Sequence, residues 1–585
     1  MRRLVSLKTL FAAFCLMTLP FCATSPAVAT PSATFGVTAA GPALSVNVSA
    51  NRRPISPYIY GLNFADEALA EELRLPVRRW GGNAVTRYNW QNDVSNHASD
   101  WYFENIKESD ATNLPADSAA IRFIEQDRRT STATLLTLPM SGYVSNNNAL
   151  TCGFDTVKYA YTAKPYPDGR PGTDYQWRPT CGNGIHNADG SYVTGNDPLD
   201  TSLVITPTFV ANWVNYLKGR YGTAANGGVL FYNLDNEPDL WFETHRDVFP
   251  TGWKYQEFRD RAYLYARAVK DADPTALTLG PVVHGWTYYW HSPYDGQRQD
   301  WSTPDDRNAN GGTPFAPWYL QQMKAYEQAN GLRILDYFDL HYYPQAPNVA
   351  LSPAGDANTQ ALRLRSTRSL WDAAYTDESW IASAGPEAQV KLIPRMKAWV
   401  DANYPGTRLA VGEYNWGALD HLNGALAQAD VLGIFGREGV DLATLWGPPE
   451  SNQPGAFAFR MYRNYDGNGG TFGETSVQAA SADQGQLAIY AAQRSSDNAL
   501  TLIIINKTPG ADLTSTVSLA GFSPTVSAEV YRYSAADLSA IVAQPAQAVT
   551  ASGFTATFPA HSITLVVIPP SVTLSQRVYL PLVRR

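Results

Sequence analysis

The chain has 585 residues and a formal net charge of −8, with 44% hydrophobic and 17% charged residues, 16 Trp and 33 Tyr. This composition excludes a disordered chain, a coiled coil and a collagen-like fibre, and the acidic balance offers no phosphate-neutralising surface for nucleic acid. A chain rich in Trp and Tyr but poor in charge favours a large, neutral, polar ligand, for which sugars are the first candidates.

The N-terminus has the three parts of an export signal. Basic residues stand at positions 2, 3 and 8, an apolar stretch spans Leu10–Phe21, and the small residues Ala27–Ala29 offer a cleavage site. The alternative is a membrane anchor, but Pro20 interrupts the apolar stretch, which is shorter than the ~20 residues that span a bilayer. We therefore expect residues 1–29 to be a signal peptide cleaved near Ala29, and the protein to be secreted without a membrane span.

Two of the four cysteines remain after this cleavage, because Cys15 and Cys22 leave with the signal. Cys152 and Cys181 lie in a stretch rich in Gly, Asn and Pro, and an oxidising compartment favours a disulfide between them over two free thiols. Closing a loop of this size contributes ~3 kcal/mol in the chain-entropy model. No His stands nearby at metal-ligand spacing, so zinc is not expected.

A long region of alternating strands and helices follows a flexible linker (residues 30–42) and a short strand, Leu44–Val48, within residues 43–54. Strands are predicted at Tyr58–Phe64, Pro76–Gly81, Thr132–Met140, Gly228–Asp235, Leu277–His284, Leu335–Tyr343, Arg408–Asn415 and Leu442–Trp446. Amphipathic helices are predicted at Val210–Arg220, Tyr255–Ala272 and Val390–Asn403. Eight strands that each feed a crossover predict an α/β fold, a (β/α)8 TIM barrel, over residues 55–470.

Beyond residue 470 the helical pattern ends. Short strands are predicted at Gly485–Gln493, Leu500–Asn506, Ser527–Tyr533, Phe554–Phe558 and Ser562–Ile568. Their spacing predicts a C-terminal β-sandwich domain over residues 471–570. Residues 571–585 are an apolar tail with a basic end, interpreted as a frayed terminus in preference to a sorting signal. The turn at Asp466–Asn468 matches a calcium loop only in part, so no metal is expected.

Two glutamates follow predicted barrel strands, at the end where TIM barrels place their active sites. Glu237 follows the fourth strand in Asn-Glu-Pro, and Glu413 ends the seventh in Gly-Glu-Tyr-Asn-Trp. These strands lie across the barrel mouth from each other, so the two carboxylates can face a substrate bound between them. Glycosidic cleavage needs such a pair, one protonated and one ionised. Asn236 is placed to bond a sugar 2-hydroxyl, with a turn-forming role as its alternative.

Nine short segments spread over residues 55–475 carry a family resemblance. They are Tyr58–Phe64, Arg78–Asn83, Thr86–Trp90, Ser95–Asn96, Asp100–Phe103, Asn236–Pro238, Asp339–Tyr343, Glu413–Trp416 and Tyr465–Gly473. Asn-Glu-Pro is shared by a whole clan of barrel glycosidases, whereas the Arg-Trp-Gly-Gly-Asn run is specific. Together the segments resemble glycoside hydrolase family 44.

The resemblance implies a retaining endo-β-1,4-glucanase, often acting on xyloglucan and sometimes on xylan or mannan. It also implies a barrel joined to a β-sandwich that takes a strand from before the barrel, which accounts for Leu44–Val48. By the same correspondence Glu237 is expected to be the acid/base and Glu413 the nucleophile. The expected partner is a β-1,4-linked glucan, and the chain is expected to be a monomer without cofactor or nucleic acid.

Supporting residues are expected around the two glutamates. Tyr343 at the end of the sixth strand and Arg79 on the second are placed to hold Glu413, and the Arg79 charge to keep it ionised. His341 is placed to bond the acid/base side of the cleft. Each has a structural alternative, in which it bonds backbone or a carboxylate of the core.

Substrate contacts are expected from Asn83 and from four tryptophans at or just beyond strand ends, whose flat faces can stack on glucose rings. The tryptophans are Trp90, Trp241, Trp416 and Trp446, each with core packing as the alternative. Trp241 or another aromatic ring is also expected beside Glu237, where desolvation would raise the pKa of the carboxyl group.

Two other functions stay open. The same barrel can act on a different polysaccharide, as a mannanase, xylanase or arabinoxylanase, because loops rather than strand ends select the sugar. The second is a carbohydrate-binding protein without catalysis, whose signature is the replacement of a glutamate; both glutamates are present here.

Overall fold

The computed structural model describes residues 37–146, 150–299 and 301–571. The predicted signal peptide with Cys15 and Cys22, residues 30–36 of the predicted linker and residues 572–585 of the tail lie outside these ranges. Within them, no helix combines the length and the apolar character that crossing a membrane requires.

Eight parallel strands close into a barrel, which confirms the predicted TIM fold. They are β1 (Gly61–Asn63), β2 (Val77–Trp80), β3 (Ala133–Leu138), β4 (Phe231–Leu234), β5 (Leu277–Val283), β6 (Tyr337–Leu340), β7 (Arg408–Tyr414) and β8 (Leu442–Leu445). The last strand pairs with the first, Thr444 opposite Gly61. Each lies within one predicted strand, because strands covered on both faces form near-continuous apolar runs.

Helices pack around the barrel and share its main apolar core. The longer ones are Ala119–Arg129, Pro207–Tyr221, Tyr255–Ala272, Phe315–Asn330, Ala357–Ser366, Leu392–Asn403, Leu422–Glu438 and Pro454–Arg463. The shorter ones are Glu67–Glu72, Trp241–Thr244, Trp286–Trp290, Pro293–Gln297, Asp305–Ala309 and Trp380–Ala384. The helix predicted from Val390 begins at Leu392, because Lys391 has a left-handed φ of 34° that no right-handed helix contains.

The C-terminal region consists of two sheets that share one strand, Thr475–Ser481. Its other strands are Leu487–Gln493, Leu500–Asn506, Ala511–Ala520, Ser527–Ser534, Asp537–Ala548, Gly553–Phe558 and Ser562–Ile568. Apolar side chains of both sheets, among them Leu502 and Val517, meet in one buried cluster between them. This is the arrangement of a β-sandwich.

The strand Leu44–Asn47, which precedes the barrel in the sequence, lies inside the sheet that contains Ala511–Ala520, here called the first sheet. It runs parallel to Ala511–Ala520 on one side and antiparallel to Thr475–Ser481 on the other. Leu44 and Val46 are buried in the cluster between the sheets. Within the described residues, strands from both sides of the barrel in the sequence therefore belong to the same β region. A further strand, Val37–Ala40, pairs with the far part of Ala511–Ala520.

The central strands of the second sheet, Leu487–Gln493, Leu500–Asn506 and Ser562–Ile568, are buried on both faces, because the outer face of this sheet packs on the barrel. Tyr490 and Ile503 belong to the core cluster of the barrel rather than to that of the sandwich. Asp430, on helix Leu422–Glu438, accepts hydrogen bonds from Tyr490 Oη (2.7 Å) and from Lys507 Nζ (2.7 Å). A buried ionic contact thus joins the two regions, and removing one partner of such a pair typically costs about 3–5 kcal/mol.

A long segment joins β3 to helix Pro207–Tyr221, and we call it the disulfide segment (residues 141–206). Two short antiparallel strands, Tyr143–Ser145 and Ser202–Val204, close its base. Cys152 and Cys181 form a disulfide, with their Cα atoms 5.7 Å apart. Their sulfur atoms pack in a small cluster with Trp101, which follows β2.

Candidate active site

The two predicted glutamates meet at the mouth of the barrel. Glu413 lies near the end of β7, and Glu237 stands just beyond β4, before the turn that Pro238 opens. The Glu237 N–H donates to the Val282 carbonyl of β5 (3.0 Å), and both residues have left-handed backbones, with φ of 43° and 58°. One carboxylate oxygen of each glutamate and a ring nitrogen of His341 lie within 4.8 Å of one another.

Hydrogen-bond donors face both carboxylate oxygens of Glu413. Arg79 Nη1 donates to Oε1 (2.6 Å) and Tyr343 Oη donates to Oε2 (2.8 Å). Burial raises the pKa of the Tyr343 hydroxyl well above its ordinary value, and the charge of Glu413 raises it further. Tyr343 therefore keeps its proton and remains a donor. Both residues contact the carboxylate that their positions on β2 and beyond β6 predict them to hold.

The guanidinium of Arg79 is fully buried and bonded on every side. Besides Glu413 it donates from Nη1 to Asn63 (3.1 Å), from Nε to Asn233 (3.1 Å) and from Nη2 to Asn236 (2.8 Å). These acceptors come from β1, from β4 and from the turn after β4. A planar guanidinium held in this way has no freedom to leave Glu413.

Two imidazoles approach the same oxygen of Glu237, Oε1. His341 Nδ1 lies 2.9 Å away and His284 Nδ1 lies 3.1 Å away. His341 is buried beyond β6, whereas the side chain of His284, beyond β5, is 43% exposed. His284 was not among the predicted site residues, although the fifth predicted strand ended at it. A titratable residue at a barrel strand end was the signal that would have found it.

The expected rise in the pKa of Glu237 is wrong. Burial does raise it, but the positive charge and hydrogen bonds of His284, together with those of His341, lower it more, so the pKa lies well below its ordinary value. The opposite holds for His284: burial lowers its pKa, but the charges of Glu237 and Asp239 raise it to about 9. Glu237 and His284 therefore titrate as a coupled pair.

Asn236 and Asn83 form a chain of amides next to Glu237. Asn236 Oδ1 accepts from the Gly82 backbone N–H (3.1 Å), and its Nδ2 donates to Asn83 Oδ1 (3.2 Å). Asn83 Nδ2 in turn donates to the carboxylate of Asp100 (3.0 Å). Both amides are thereby held in fixed orientations at the barrel mouth.

Two of the predicted stacking tryptophans belong to the core, so their expected role in sugar binding is wrong. Trp241 and Trp416 expose 0% and 1% of their surface. Trp241 packs against Phe249, and the indole N–H of Trp416 donates to Ser366 (3.1 Å). A sugar ring needs an open aromatic face. Trp241 is therefore part of the core, and the low pKa of Glu237 is explained by His284 and His341.

Trp90 is also wrong as a stacking residue, because it is buried and its ring stacks on Tyr216 of the outer helix Pro207–Tyr221, with centroids 5.4 Å apart. Trp446 differs from the other three. It is half-buried, and its ring edge lies where a side chain on Gly82 would stand. Its stacking role stays a prediction.

Glu237, His341 and Glu413 also bring three possible metal-ligand atoms together. The guanidinium of Arg79 already faces Glu413 at 2.6 Å, so a cation occupies one side of the trio. A second cation at this distance would be repelled by the first. The donor set fits a pair of carboxylates with an imidazole between them better than it fits a metal centre.

Comparisons with known proteins point in one direction. The family model described as glycoside hydrolase family 44 matches residues 94–346. The beta-mannanase/endoglucanase A of Caldicellulosiruptor saccharolyticus is 32% identical over 518 residues, covering 84% of this chain and 36% of its own length. The chain thus spans about a third of that relative.

Two solved structures resemble the whole described fold. CelM2, a bifunctional glucanase-xylanase from a metagenome library, is 41% identical with a TM-score of 0.86, over 91% of this chain and 100% of its own. A xyloglucanase of family 44 from Paenibacillus polymyxa, solved with xyloglucan, is 31% identical with a TM-score of 0.74, over 90% and 99% of the two chains.

Proposed function

The chain belongs to glycoside hydrolase family 44, and on that premise we propose that it is a retaining endo-β-1,4-glycanase acting on cellulose-type β-glucans and xyloglucan. One observation carries the mechanism: carboxylate oxygens of Glu237 and Glu413 lie within 4.8 Å of each other. Retaining enzymes hold their carboxyl groups ~5–5.5 Å apart, whereas inverting enzymes need ~6.5–9.5 Å to admit a water molecule.

Glu413 is the nucleophile in this proposal. Arg79 and Tyr343 donate to its two oxygens at 2.6 and 2.8 Å, which fixes the orientation of the carboxylate. In the first step an oxygen of Glu413 attacks the anomeric carbon and forms a glycosyl ester, and the bond from that carbon to the leaving oxygen breaks.

Glu237 is the acid/base, and its geometry separates the work of its two oxygens. Both imidazoles approach Oε1, so Oε2 is the atom available to the glycosidic oxygen. In the first step Oε2 gives a proton to the leaving oxygen. In the second step Glu237 takes a proton from water, whose oxygen attacks the glycosyl ester and releases Glu413.

His284 supplies the proton that a low pKa would otherwise deny to Glu237. With His284 at a pKa of about 9, the pair carries one proton at neutral pH, located mainly on the imidazole. Bound substrate covers the exposed edge of His284 and removes water from the pair. A charged pair loses stability when desolvated, so the proton moves to the carboxylate and the neutral acid forms next to the glycosidic oxygen.

The substrate class is supported by the relatives, whose names include an endoglucanase, a glucanase-xylanase and a xyloglucanase. A mannanase activity is the second candidate, favoured by the name of the Caldicellulosiruptor enzyme. Extracellular location is part of the proposal too, since a polysaccharide of this size is met outside the cell and residues 1–29 have the composition of an export signal.

Release of reducing ends from carboxymethylcellulose, xyloglucan, glucomannan and xylan tests the proposal, with Glu413→Gln as the inactive control. We expect release from the first two polymers. Release from glucomannan alone would move the chain to the second candidate, and release from xylan alone would identify a xylanase. No release from any polymer, combined with retention on polysaccharide gels, would identify a binding protein.

A further inference from the structure

Two exposed aromatic side chains on the disulfide segment have no role in the site described so far. Trp177 is 56% exposed and Tyr175 is 51% exposed. Both rings lean on the buried indole of Trp101, with centroid distances of 5.5 Å and 5.7 Å. Scattered exposed aromatics are ordinary, but two on one turn sharing a third ring as support form a surface.

Hydrogen bonds to its backbone hold the turn that carries these rings. The carboxylate of Asp174 accepts the backbone N–H groups of Gln176 (2.8 Å), Trp177 (3.1 Å) and Arg178 (2.8 Å). Arg178 Nη1 also donates to Glu104 (3.0 Å). The backbone that carries the two rings is therefore fixed, and binding to a preorganised surface has a smaller entropic cost.

The disulfide anchors the same turn at its other end. The Asp174 N–H donates to the Cys181 carbonyl (2.8 Å), and Cys181 is bonded to Cys152. Both sulfurs lie in the cluster that contains Trp101. Trp101 and the turn that carries Tyr175 and Trp177 are thus held together around the disulfide.

A continuous chain of contacts leads from this surface to the catalytic glutamates. Trp101 follows Asp100, whose carboxylate accepts from Asn83 (3.0 Å). Asn83 accepts from Asn236 (3.2 Å), the residue before Glu237. The ring that supports the aromatic surface is thereby linked to the residues beside Glu237, on the side of β2 and the disulfide segment.

We propose that Tyr175 and Trp177 form a distal sugar subsite for the continuing backbone of a β-linked glucan bound in the cleft. The chemistry is that of flat rings stacked on the apolar C–H faces of pyranose units, which carry no charge for the surface to neutralise. The inference rests on the proposed function, since the ligand is the substrate chain itself.

The test uses full-length Trp177→Ala and Tyr175→Ala, with Trp177→Tyr as the variant that keeps a flat ring. The two alanine variants should raise the KM for xyloglucan about fivefold to tenfold and leave kcat close to the parent. The loss should be confined to long chains and absent for an aryl β-cellobioside, which is too short to reach the rim. Trp177→Tyr should recover most of the affinity.

Leu264→Ala is the matched control, because Leu264 is 60% exposed but lies on the outer helix Tyr255–Ala272. Thermal unfolding checks that each variant is folded. An unchanged KM in both alanine variants, or an equal loss on long and short substrates, overturns the subsite.

Binding in the Glu413→Gln background gives a second readout that needs no turnover. Calorimetry with cellohexaose and cellobiose should show a weakened long-chain affinity in Trp177→Ala and the same short-chain affinity. If the parent releases no reducing ends from any polymer, the proposed function fails. Calorimetry still decides whether the aromatic surface binds the chain.

Discussion

The barrel mouth and the disulfide segment are built on opposite principles. At the mouth Arg79 and both glutamates are buried, and side chains from other strands hold them: Arg79 bonds Glu413 and three asparagines. On the disulfide segment Tyr175 and Trp177 are exposed, and backbone turns and a covalent crosslink hold them. Proton transfer and nucleophilic attack need groups that are shielded from water and held in fixed orientations. Binding of a glycan chain instead needs aromatic faces that are open to solvent and supported by the protein on their other side.

The largest effect should come from Glu413→Gln at the mouth. The amide keeps the shape of the side chain but cannot form the ester, so kcat should fall by about 10⁴-fold or more. Oligosaccharide binding, measured by calorimetry, should remain. A variant with substantial turnover would mean that the glycosyl ester forms elsewhere.

Glu237→Ala should separate the two steps. An aryl glycoside with a good leaving group needs no proton, so its first step should survive and a glycosyl-enzyme on Glu413 should accumulate, visible by mass spectrometry of the intact protein. Azide should restore turnover and yield a β-glycosyl azide, the product of two inversions. An α-azide, or rescue of a Glu413 variant with β product, would reverse the two roles.

Replacing both Cys152 and Cys181 by Ser should lower the free energy of unfolding of the disulfide segment by about 3 kcal/mol. The mouth makes its own contacts, so KM for polysaccharide should rise far more than kcat falls. Thiol reagents should label the native parent only after reduction. Stoichiometric labelling without reductant would rule out the bridge, and an equal loss of kcat and affinity would break the contrast between the two regions.

The smallest change should appear in the pH profile of His284→Asn. The parent pair loses its proton as the pH rises through about 9, the pKa of His284. Without the imidazole, Glu237 titrates alone, so the alkaline limb of kcat/KM should move at least one pH unit lower for poor leaving groups. Activated aryl glycosides should keep their profile.

His97→Asn is the control for this shift, because His97 forms a comparable contact with Glu108 (3.2 Å) that does not include Glu237. The contribution of His284 to the free energy of unfolding also falls as the pH rises. A raised His284 pKa stabilises the fold fully below the unfolded pKa of ~6.5, and this contribution disappears as the pH rises through about 9. The variant should show a flatter melting temperature over that interval.

The barrel was predictable because each of its strands is a short apolar run that is followed in the sequence by turn residues. The sandwich was predictable only in part: Thr475–Ser481, Ala511–Ala520 and Asp537–Ala548 were missed. Ala511–Ala520 alternates Leu and Val with Ser and Thr, and Asp537–Ala548 is mostly exposed Ala, Gln and Ser. Pairing with neighbours, which composition does not reveal, makes these segments strands.

In the site, position along a strand located the residues but not their orientation. Strand ends placed Glu237, Glu413, Arg79 and Tyr343, because the carboxyl ends of parallel strands all open on one side. The same reasoning failed for Trp241 and Trp416, since a residue beyond a strand turns toward the cleft or the core according to the local backbone. The end of the fifth strand marks His284 as a site residue, but its pairing with Glu237 depends on a contact in space that its sequence neighbours do not reveal.

The strand Leu44–Asn47 is synthesised long before the two strands with which it pairs. Ser518, which bonds Leu44, stands 474 positions later in the chain, and Ala480, opposite Ser45 on the other side, is made only shortly before it. At ~5–20 residues per second the strand therefore emerges about 20 seconds or more before either partner. During this interval the ribosome delivers the whole barrel, while the apolar side chains of Leu44 and Val46 lack their final neighbours. Until those partners emerge, the backbone of this segment is open to pairing with another strand, including the same segment of a second nascent chain.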